Sequence, residues 1–449
     1  MGTGLALLAS YVLLVLGLLV SFGIFDPLAL TLLLVSFVLL AVALWWVRAG
    51  SARDRRVPGT PIFAIALVLI LVAALFRPPA LYLTTPLFGQ AYLGWLIVTV
   101  ALVSVGYLVP RTTRGVGRAV FAIAVVGAIV FRLWMPIASP APVIDVFTFS
   151  QESAAHLIDG KNPFTTPVSD AYEGAVSFGY SIRAYIYLPA DLYLQTISYA
   201  ITHDVRYAYV LAEMVVALAL WRLSRRRWNE PVAELIVLLF LYNPIGLFVL
   251  EQAWVDSLIL MFFAIYLMLR DRGRGTAAAF AYGYMLFLKQ YMLFAFFQWF
   301  IVERNWRRVF IALGTGAATL VPFALWGWRG LLENGILFNV VVPFRDDSLT
   351  LFSFLSHAWG LKPPSGWTII VGTLFAVVSF YLQRGTTPLR GYLFSVTLTM
   401  FGMFLFGTTG FCNWYYLVAG FMLFLIAAGG RRPRTNGPDA LAPSGFALD

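Results

Sequence analysis

Ionisable and amide side chains in this chain are concentrated at a few places between long apolar runs. Acidic residues enriched on one face, a lone lysine inside an apolar hairpin and aromatic residues at one interface indicate a site that handles a polar head group attached to a lipid. An ionisable group at the centre of a membrane helix costs at least about 2.5 to 3.5 kcal/mol, so such residues are functional candidates by default. The candidates are Asp145, Glu152, Lys161, Asn162, Tyr187, Gln252, Asp256, Lys289, Gln290, Tyr291, Arg345, His357, Asn413 and Tyr415.

The composition of the 449-residue chain is that of a membrane protein. Apolar residues make up 61% of it, charged residues make up 12%, and the mean hydropathy is +0.83. These values lie far outside the usage of soluble globular proteins. The single cysteine, Cys412, excludes an internal disulfide and a thiolate metal cluster. We therefore expect an all-α polytopic membrane protein.

The net charge of +10 comes from arginine clusters and does not indicate a nucleic-acid surface. Cytoplasmic loops of membrane proteins carry an excess of lysine and arginine, and placing every cluster inside gives one consistent topology. Both termini are then cytoplasmic, with about fourteen crossings of roughly 20 residues each. The clusters lie at 48–56, 111–118, 222–227, 270–274, 304–308, 384–390 and 431–434.

The expected spans include two irregular regions. Residues 276–302 are too short for two full crossings, so we expect a broken or re-entrant hairpin around Lys289 and Gln290. Residues 186–203 are assigned to an interfacial helix, because a crossing there would place the next arginine cluster outside. The first run lacks a basic flank and a cleavage site and is expected to be retained. The spans are 4–25, 27–47, 60–77, 91–109, 116–135, 205–222, 231–250, 254–269, 276–289, 290–302, 308–327, 366–383, 391–409 and 412–429.

The longest polar connection, residues 136–204, lies on the non-cytoplasmic face in this topology. It contains the segment PVIDVFTFSQESAAHLIDGKNPF, from Pro142 to Phe164. Gly160 would end a helix there, and the chain would turn at Asn162. The other candidate clusters fall on the same face. Residues 146–158 can form an amphipathic helix on the membrane surface, with lipid-facing positions Val146, Phe149, Ala154, Leu157 and Ile158.

Each candidate also has a purely structural interpretation. Lys289 can snorkel to the interface or pair with Asp256. Asp145 can cap the helix that follows it, and this role can coexist with catalysis. For His357, a structural role and a ligand role are equally good interpretations. Two groups have default surface interpretations, an interfacial aromatic belt for residues 414–416 and a local ion pair for residues 345–347.

The order of the motifs resembles a known family. Asp145 is followed by the glycine and the Asn-Pro-Phe turn at 160–164, and then by Tyr-Leu-Pro at 187–189. This pattern resembles the polyprenyl-phosphate-sugar-dependent glycosyltransferases of the GT-C fold, especially the bacterial and archaeal membrane mannosyltransferases. Their later motif is Tyr-Pro-Pro, so leucine replaces one proline here. Further similar segments are YNP at 242–244, QAWVD at 252–256, LKQY at 288–291 and NWYYL at 413–417.

The resemblance covers roughly residues 116–430 and implies a GT-C-like helical bundle. It implies inverting transfer of a sugar, with mannose expected, from a polyprenyl-phosphate donor to a hydroxyl of a glycolipid or glycan acceptor. The reaction would need no metal and no cofactor, and would occur at the extracytoplasmic face of the plasma membrane. Asp145 would be the general base. Lys289, Arg345 and His357 would stabilise the donor phosphate, and the other candidates would contact substrate.

The N-terminal part of the chain matches nothing in the family pattern. Residues 1–109 are expected to form an accessory four-helix transmembrane module, residues 116–430 the GT-C-like module, and residues 431–449 a disordered cytoplasmic tail. Two other function classes stay open. A secondary transporter or a flippase for a lipid-linked substrate would use a site around Lys289 and Asp256, but a transporter should also show paired interruptions in two repeated halves. A lipid-binding scaffold would leave Asp145 dispensable.

Overall fold

Helices and their connections make up the described structure, apart from one isolated bridge between Ile24 and Ser348. The computed structural model describes residues 2–50, 58–110, 113–174, 180–364, 366–383 and 388–430. The predicted tail at 431–449, with its arginine cluster, lies outside the described residues, as do parts of three other arginine clusters. Over the described ranges, the prediction of an all-helical polytopic membrane protein is confirmed.

Nine helical stretches within these ranges are long and apolar enough to cross a membrane. They are Thr3–Ser21, Pro27–Arg48, Pro86–Leu108, Arg114–Ala138, Arg206–Arg227, Glu230–Glu251, Trp306–Leu337, Pro388–Phe406 and Cys412–Gly429. Two shorter apolar helices, Thr60–Ala74 and Trp367–Gln383, accompany them. The total of about fourteen crossings, which also needs the short segments of 254–302, stays a prediction.

The α-helices are numbered in chain order. The first ten are α1 (Thr3–Ser21), α2 (Pro27–Arg48), α3 (Thr60–Ala74), α4 (Pro86–Val103), α5 (Arg114–Ala138), α6 (Asp145–Ile158), α7 (Pro189–Thr202), α8 (Arg206–Arg227), α9 (Glu230–Leu241) and α10 (Pro244–Glu251). The others are α11 (Asp256–Asp271), α12 (Gly275–Leu286), α13 (Leu293–Val302), α14 (Trp306–Gly330), α15 (Phe338–Val341), α16 (Leu351–Trp359), α17 (Trp367–Gln383), α18 (Pro388–Phe406) and α19 (Cys412–Gly429).

Local sequence signals set several helix ends. Asp26, Asn229 and Asn243 each accept a hydrogen bond from a backbone N–H in the first turn of α2, α9 and α10, at 2.8 to 3.1 Å. These side chains satisfy donors that a helix leaves unpaired at its start. Gly160 follows α6 with a φ of 70°, and the Lys161 N–H closes the cap onto the last turn at 2.8 Å. The predicted glycine cap is therefore confirmed.

The bundle has two ends that differ in charge. At one end, Arg118 near the start of α5 pairs with Glu230 at 2.8 Å, and Arg226 in the last turn of α8 pairs with Asp271 at the end of α11. We call this the arginine-rich end. At the other end, Arg206 at the start of α8 donates to the carbonyl of Ser139, just after α5, at 2.6 Å. We call this second end the Asp145 end. The positive-inside rule predicts that the arginine-rich end is cytoplasmic.

Helices α12 and α13 form a re-entrant hairpin. Arg270, in the last turn of α11, lies 3.0 Å from Glu303, which directly follows α13. Arg308, in the first turn of α14, lies 3.3 Å from the same carboxylate. Both ends of the hairpin therefore lie at the arginine-rich end, and its tip, which contains Lys289 and Gln290, reaches toward the Asp145 end. This confirms the predicted break in the membrane segment.

Three of the five positions of α6 that were predicted to face lipid are buried in the protein, whereas Leu157 is partly buried and Ile158 is exposed. Val146, Phe149 and Ala154 are each 8% exposed or less. The Phe149 ring meets the rings of Tyr185 and Tyr187 edge-on, with centroids 5.6 and 5.2 Å away. The prediction that these three residues face lipid is wrong, because α7 and the chain before it pack onto this face. Helix α7 has 14 residues. At about 21 Å it is too short to cross a membrane alone, as predicted.

The N-terminal helices pack into the same core as the rest of the chain. One continuous cluster of buried apolar residues extends from α1 to α19. Helix α1 lies against α2, α3, α10 and α19. The hydroxyl of Tyr11 in α1 donates to the carbonyl of Leu239 in α9 at 2.7 Å. The module predicted for residues 1–109 is thus an integral part of the bundle.

Candidate functional site

Four of the predicted site residues meet around one buried carboxylate. Asp256, the first residue of α11, is fully buried. Its Oδ2 accepts a hydrogen bond from Asn413 Nδ2 at 2.8 Å and lies 3.4 Å from Lys289 Nζ. Its Oδ1 accepts a hydrogen bond from the Tyr291 hydroxyl. We call these four residues the Asp256 cluster. It joins α11, the tip of the re-entrant hairpin and the start of α19.

Lys289 lies at the break in the hairpin, where its extended backbone separates α12 from α13. Its side chain is 5% exposed, and Nζ lies over three aromatic rings. The ring centroids of Tyr187, Tyr291 and Trp414 are 5.0, 5.2 and 5.8 Å from Nζ. Such rings attract a desolvated cation. The interpretation of Lys289 as a partner of Asp256 is confirmed, and the snorkelling alternative is wrong.

The aromatic residues at the start of α19 are not an interfacial belt. Tyr415 and Tyr416 are 0% and 1% exposed. The Tyr415 hydroxyl donates to the carbonyl of Leu349 at 2.5 Å, and the Tyr416 hydroxyl donates to Glu213 Oε1 at 3.1 Å. Tyr415, predicted to contact substrate, instead holds the connection before α16 in place.

Asp145 is the first residue of α6 and is half-buried. Its Oδ1 accepts a hydrogen bond from the N–H of Val146 at 2.7 Å, so it bonds the adjacent amide and not the donors deeper in the first turn. Within the described part of the chain, its carboxylate forms no ion pair. Burial raises the pKa of Asp145, and the guanidinium of Arg345 opposes this rise. The carboxyl group therefore ionises less readily than that of an exposed aspartate, and its carboxylate is the stronger base.

Three tyrosines that the sequence motifs did not identify lie within electrostatic reach of Asp145. Burial and then the charge of Asp145 raise the pKa of the Tyr172 hydroxyl. The pKa of Tyr82 is raised by burial, then by Glu251, and then by Asp145. Tyr180 is held in the same neighbourhood by Arg345. Tyr82 comes from the connection between α3 and α4, whereas Tyr172 and Tyr180 come from the connection after α6.

Arg345 is anchored beside Asp145. Its Nε and Nη2 donate to the two carboxylate oxygens of Asp347 at 2.7 and 2.6 Å, and its Nη1 donates to the Tyr180 hydroxyl at 3.0 Å. Its guanidinium lies 5.1 Å from the ring of Phe411. The predicted local ion pair is thus confirmed for Asp347, and it fixes a cation within electrostatic reach of Asp145.

Tyr187 connects the Asp256 cluster with Asp145. Its ring lies against Lys289, and burial, followed by the carboxylates of Asp256 and Asp145, raises the pKa of its hydroxyl. The carbonyl of the preceding residue accepts hydrogen bonds from Asn339 Nδ2 at 2.6 Å and from Gln290 Nε2 at 3.3 Å. Gln290, predicted to contact substrate, therefore positions the backbone next to Tyr187.

Asp191 is a buried carboxylate close to Lys289 that was not among the candidates. It lies in the first turn of α7, is 0% exposed, and its Oδ1 has no hydrogen-bond partner in the described ranges. Burial raises the pKa of Asp191 to about 8, against the opposing effects of Tyr185 and Lys289. Its position two residues after the Tyr-Leu-Pro motif is the sequence signal that could have identified it.

Three candidates in the connection after α6 support its fold. The Oδ1 of Asn162 accepts a hydrogen bond from the Phe164 N–H at 2.9 Å, which confirms the predicted turn. Glu152 Oε2 accepts a hydrogen bond from the Ser169 N–H at 2.7 Å. Lys161 Nζ lies 3.2 Å from the carboxylate two residues before it, and both side chains are 57% exposed. None of these three contacts reaches Asp145 or the Asp256 cluster.

His357 lies apart from both clusters. Its ring is exposed and stacks on Phe25 with centroids 4.5 Å apart. Its Nδ1 lies 2.7 Å from the carbonyl oxygen of Ser353. The structure therefore places His357 against the connection between α1 and α2. Gln252, by contrast, is 1% exposed and caps the C-terminal end of α10, four residues before Asp256.

The described residues contain no group of three or more His, Cys, Asp and Glu side chains that could hold a metal ion. The expectation of a metal-independent reaction stays a prediction. Comparisons with protein-family models, with curated proteins and with solved structures give no match to this chain. The fold and the site define a polytopic helical membrane protein with a buried lysine–carboxylate cluster and a half-buried carboxylate at one end.

Proposed function

We propose that this protein is a membrane glycosyltransferase. It transfers a sugar, with mannose expected, from a polyprenyl-phosphate donor to a hydroxyl of a glycolipid or glycan acceptor, with inversion at the anomeric carbon. The observation that carries the proposal is Asp145, a half-buried carboxylate at one end of a membrane bundle, next to a fixed arginine. The same end is the extracytoplasmic one in the proposed topology.

The proton on the acceptor hydroxyl needs a base. The hydroxyl oxygen forms a bond to the anomeric carbon while the bond from that carbon to the phosphate oxygen breaks, and the hydroxyl proton moves to the Asp145 carboxylate. A raised pKa brings a carboxylate closer to the operating pH, where general-base catalysis is most effective. Burial supplies that shift for Asp145. General-base catalysis of this kind contributes about 10² to 10⁴-fold in rate.

The leaving polyprenyl phosphate needs fixed positive charge. Arg345, held on two sides by Asp347 and Tyr180, supplies a guanidinium that reorients little during the reaction. Lys289 supplies a second cation. When Lys289 turns toward a phosphate, Asp256 keeps its hydrogen bonds from Tyr291 and Asn413. The contacts of His357 lend no support to its predicted phosphate role.

The test is transfer of radiolabelled mannose from polyprenyl-phosphate-mannose to membrane lipids and glycans. Purified wild type is compared with Asp145→Asn and with Asp159→Asn. Asp159 is a matched control because it lies at the other end of α6, is exposed, and makes only a surface ion pair. We expect Asp145→Asn to lower transfer at least about a hundredfold and Asp159→Asn to leave it unchanged, with equal melting temperatures. Equal transfer by Asp145→Asn and wild type would remove Asp145 as the base.

The Asp256 cluster favours a second candidate, a transporter or flippase for a lipid-linked substrate. A buried Asp256–Lys289 pair at the tip of a re-entrant hairpin is an arrangement that membrane transporters also use. Flux of polyprenyl-phosphate-mannose across proteoliposomes distinguishes the two functions. Flux that is lost in Lys289→Met but retained in Asp145→Asn, with no sugar transfer by wild type, would favour the transporter.

A further inference from the structure

A buried carboxylate, that of Glu251, binds the connection between α3 and α4 at the Asp145 end, and we call this contact the latch. Glu251, the last residue of α10, is fully buried. Its two carboxylate oxygens accept hydrogen bonds from the N–H groups of Leu81 and Tyr82, each at 2.8 Å. At the next peptide group, the Ser139 hydroxyl donates to the Tyr82 carbonyl at 3.0 Å. The backbone of Tyr82 is therefore fixed from both sides.

The two elements that bind this connection are joined to each other by Arg206. Arg206, fully buried, donates from Nη1 to the carbonyls of Ser139 and Glu251 at 2.6 and 3.3 Å. The same guanidinium donates from Nη2 to the carbonyl of Pro136 at 3.1 Å. It thus ties the end of α5 to the end of α10, and these are the two elements that bind Tyr82. The end of α5 immediately precedes the segment that leads to Asp145.

The Tyr82 side chain is half-buried, and its backbone is bonded to Ser139, six residues before Asp145 in the chain. Burial, then Glu251 and then Asp145 raise the pKa of its hydroxyl. A single buried carboxylate bonded to two consecutive amides is an unusual use of a costly group, because each desolvated charge must be compensated. If the connection between α3 and α4 served only to link the two helices, it would not need a buried carboxylate to hold it. The latch therefore has the effect of fixing where Tyr82 lies relative to Asp145.

We propose that residues 80–84 of the N-terminal module form one wall of the Asp145 site and that the Tyr82 hydroxyl binds a sugar hydroxyl of the lipid-linked donor. This inference rests on the proposed function and extends it, because it makes the N-terminal module part of the binding site. Tyr82 acts by binding the head group, and Asp145 remains the base. The module that matches nothing in the family motifs would then contribute directly to substrate binding.

The first test is kinetic and uses the full-length protein. Tyr82→Phe keeps the ring and the latched backbone and removes only the hydroxyl. Because a neutral hydrogen bond is worth about 1 kcal/mol, we expect the KM for polyprenyl-phosphate-mannose to rise about fivefold, with kcat and the melting temperature unchanged. Tyr92→Phe is the matched control, since Tyr92 belongs to the same module but is buried in α4. It should leave KM unchanged.

The second test measures protection by ligand and does not depend on turnover. The only cysteine, Cys412, is fully buried, so Cys412→Ala gives a background for single-cysteine labelling. In that background, polyprenyl-phosphate-mannose should slow the reaction of Tyr82→Cys with a charged maleimide. It should not protect Phe76→Cys, because Phe76 is 81% exposed at the end of the same connection that lies farther from the latch.

The outcomes separate this inference from the function on which it rests. Transfer by wild type, with an unchanged KM in Tyr82→Phe and no protection of Tyr82→Cys, overturns the inference and leaves the transferase proposal intact. A raised KM together with protection of Tyr82→Cys alone supports both. Absence of transfer by wild type across a panel of polyprenyl-phosphate sugars overturns both.

Discussion

Lys289 Nζ lies 3.4 Å from Asp256 Oδ2 inside the bundle, and neither side chain is more than 5% exposed. The two residues are 33 positions apart, and the re-entrant hairpin brings them together. Asp256 has two further donors, Tyr291 and Asn413, whereas Lys289 has aromatic rings as its other neighbours. The pair is therefore asymmetric. The carboxylate stays hydrogen-bonded when the lysine moves away, whereas the lysine forms no second ion pair among the described residues.

Breaking the Asp256–Lys289 pair on one side should destabilise the protein more than removing both charges. Lys289→Met or Asp256→Asn alone leaves an uncompensated buried charge and should cost about 3 to 5 kcal/mol. The double variant should recover most of this loss. Thermal unfolding in detergent measures the three variants. Equal loss in the single and double variants would show that the pair has no stabilising coupling.

The same double variant separates stability from function. If Lys289 contacts the donor phosphate, the double variant should fold and still transfer sugar at least about tenfold more slowly, because no cation replaces the lysine. Wild-type transfer by a stable double variant would assign the pair to structure alone.

Charge around Asp145 should set the acid limb of the pH–rate profile. The pKa of Asp145 is raised by burial and lowered by Arg345. Transfer requires the ionised carboxylate, so activity should fall as the pH drops through this raised pKa. Arg345→Gln removes the lowering effect and should move the limb to higher pH. The kcat/KM profile for the donor measures this shift.

Asp347→Asn is the control for that experiment. It removes the carboxylate that binds Arg345 bidentately while keeping the guanidinium in the site. The acid limb should then stay in place or move to lower pH, since the guanidinium of Arg345 is no longer offset by the carboxylate of Asp347. An upward shift of equal size in both variants would contradict an electrostatic role for Arg345.

Asp191 should make the folded state less stable as the pH rises. Burial raises its pKa from 3.8 to about 8, so the folded protein holds this proton more tightly than the unfolded chain does. Its stabilising effect is fully present below the unfolded pKa and is lost as the pH rises toward 8, because the unfolded chain gives up the proton first.

In Asp191→Asn, the side chain at position 191 carries no charge at any pH, so the variant should lack this dependence of stability on pH. The difference in melting temperature between the variant and wild type should grow by several degrees from pH 4.5 to pH 8, because wild type loses up to about 4 kcal/mol of stability over this range. Asp159→Asn, at an exposed position, should show no such pH-dependent difference. A constant difference between Asp191→Asn and wild type from pH 4.5 to 8 would contradict a raised pKa.

A second buried ion pair should be structural. Arg132 Nε lies 2.5 Å from Glu213 Oε2, with side chains 2% and 0% exposed, and Glu213 also accepts hydrogen bonds from Ser257 and Tyr416. Arg132→Met should cost about 3 to 5 kcal/mol, because it leaves Glu213 buried without its cation.

The exposed pair between Arg118 and Glu230, 2.8 Å apart, is the matched control. The Arg118 side chain is 62% exposed, and Arg118→Gln should leave the melting temperature close to that of wild type, because water screens an exposed ion pair. Thermal unfolding compares the two variants. Similar losses in both would show that burial adds nothing to the Arg132 pair.

Much of the fold could be predicted because membrane solvation leaves few alternatives. Apolar runs must form helices in lipid, where a backbone group without a partner costs several kcal/mol. The break around Lys289 was predictable for the same reason, since a charged and an amide residue interrupt two runs that are each too short to cross. The glycine cap after α6 follows from local backbone chemistry alone.

The burial of α6 could not be predicted in this way. Its apolar positions, among them Phe149, have the periodicity of a helix that lies on a membrane, and periodicity does not distinguish lipid from a protein neighbour. The prediction of an interfacial belt at residues 415 and 416 was wrong for a similar reason. Tyrosine is common both at membrane interfaces and in buried hydrogen bonds, so its identity does not distinguish the two. Tyr82 belongs to no motif, so only its contacts identify it. Asp191 follows the Tyr-Leu-Pro motif closely, but only the structure shows that it is buried.

The sequence by itself determined a helical membrane protein, a charge asymmetry between its two ends, the hairpin break at Lys289, and a set of candidates that includes Asp145 and Asp256. These features depend on composition and on neighbouring residues, which chain order records. The tertiary structure decided that Asp256, Lys289, Tyr291 and Asn413 meet and that His357 does not join them. It also decided that the N-terminal module places Tyr82 beside Asp145. Such contacts join residues up to 157 positions apart, and they depend on how the helices pack.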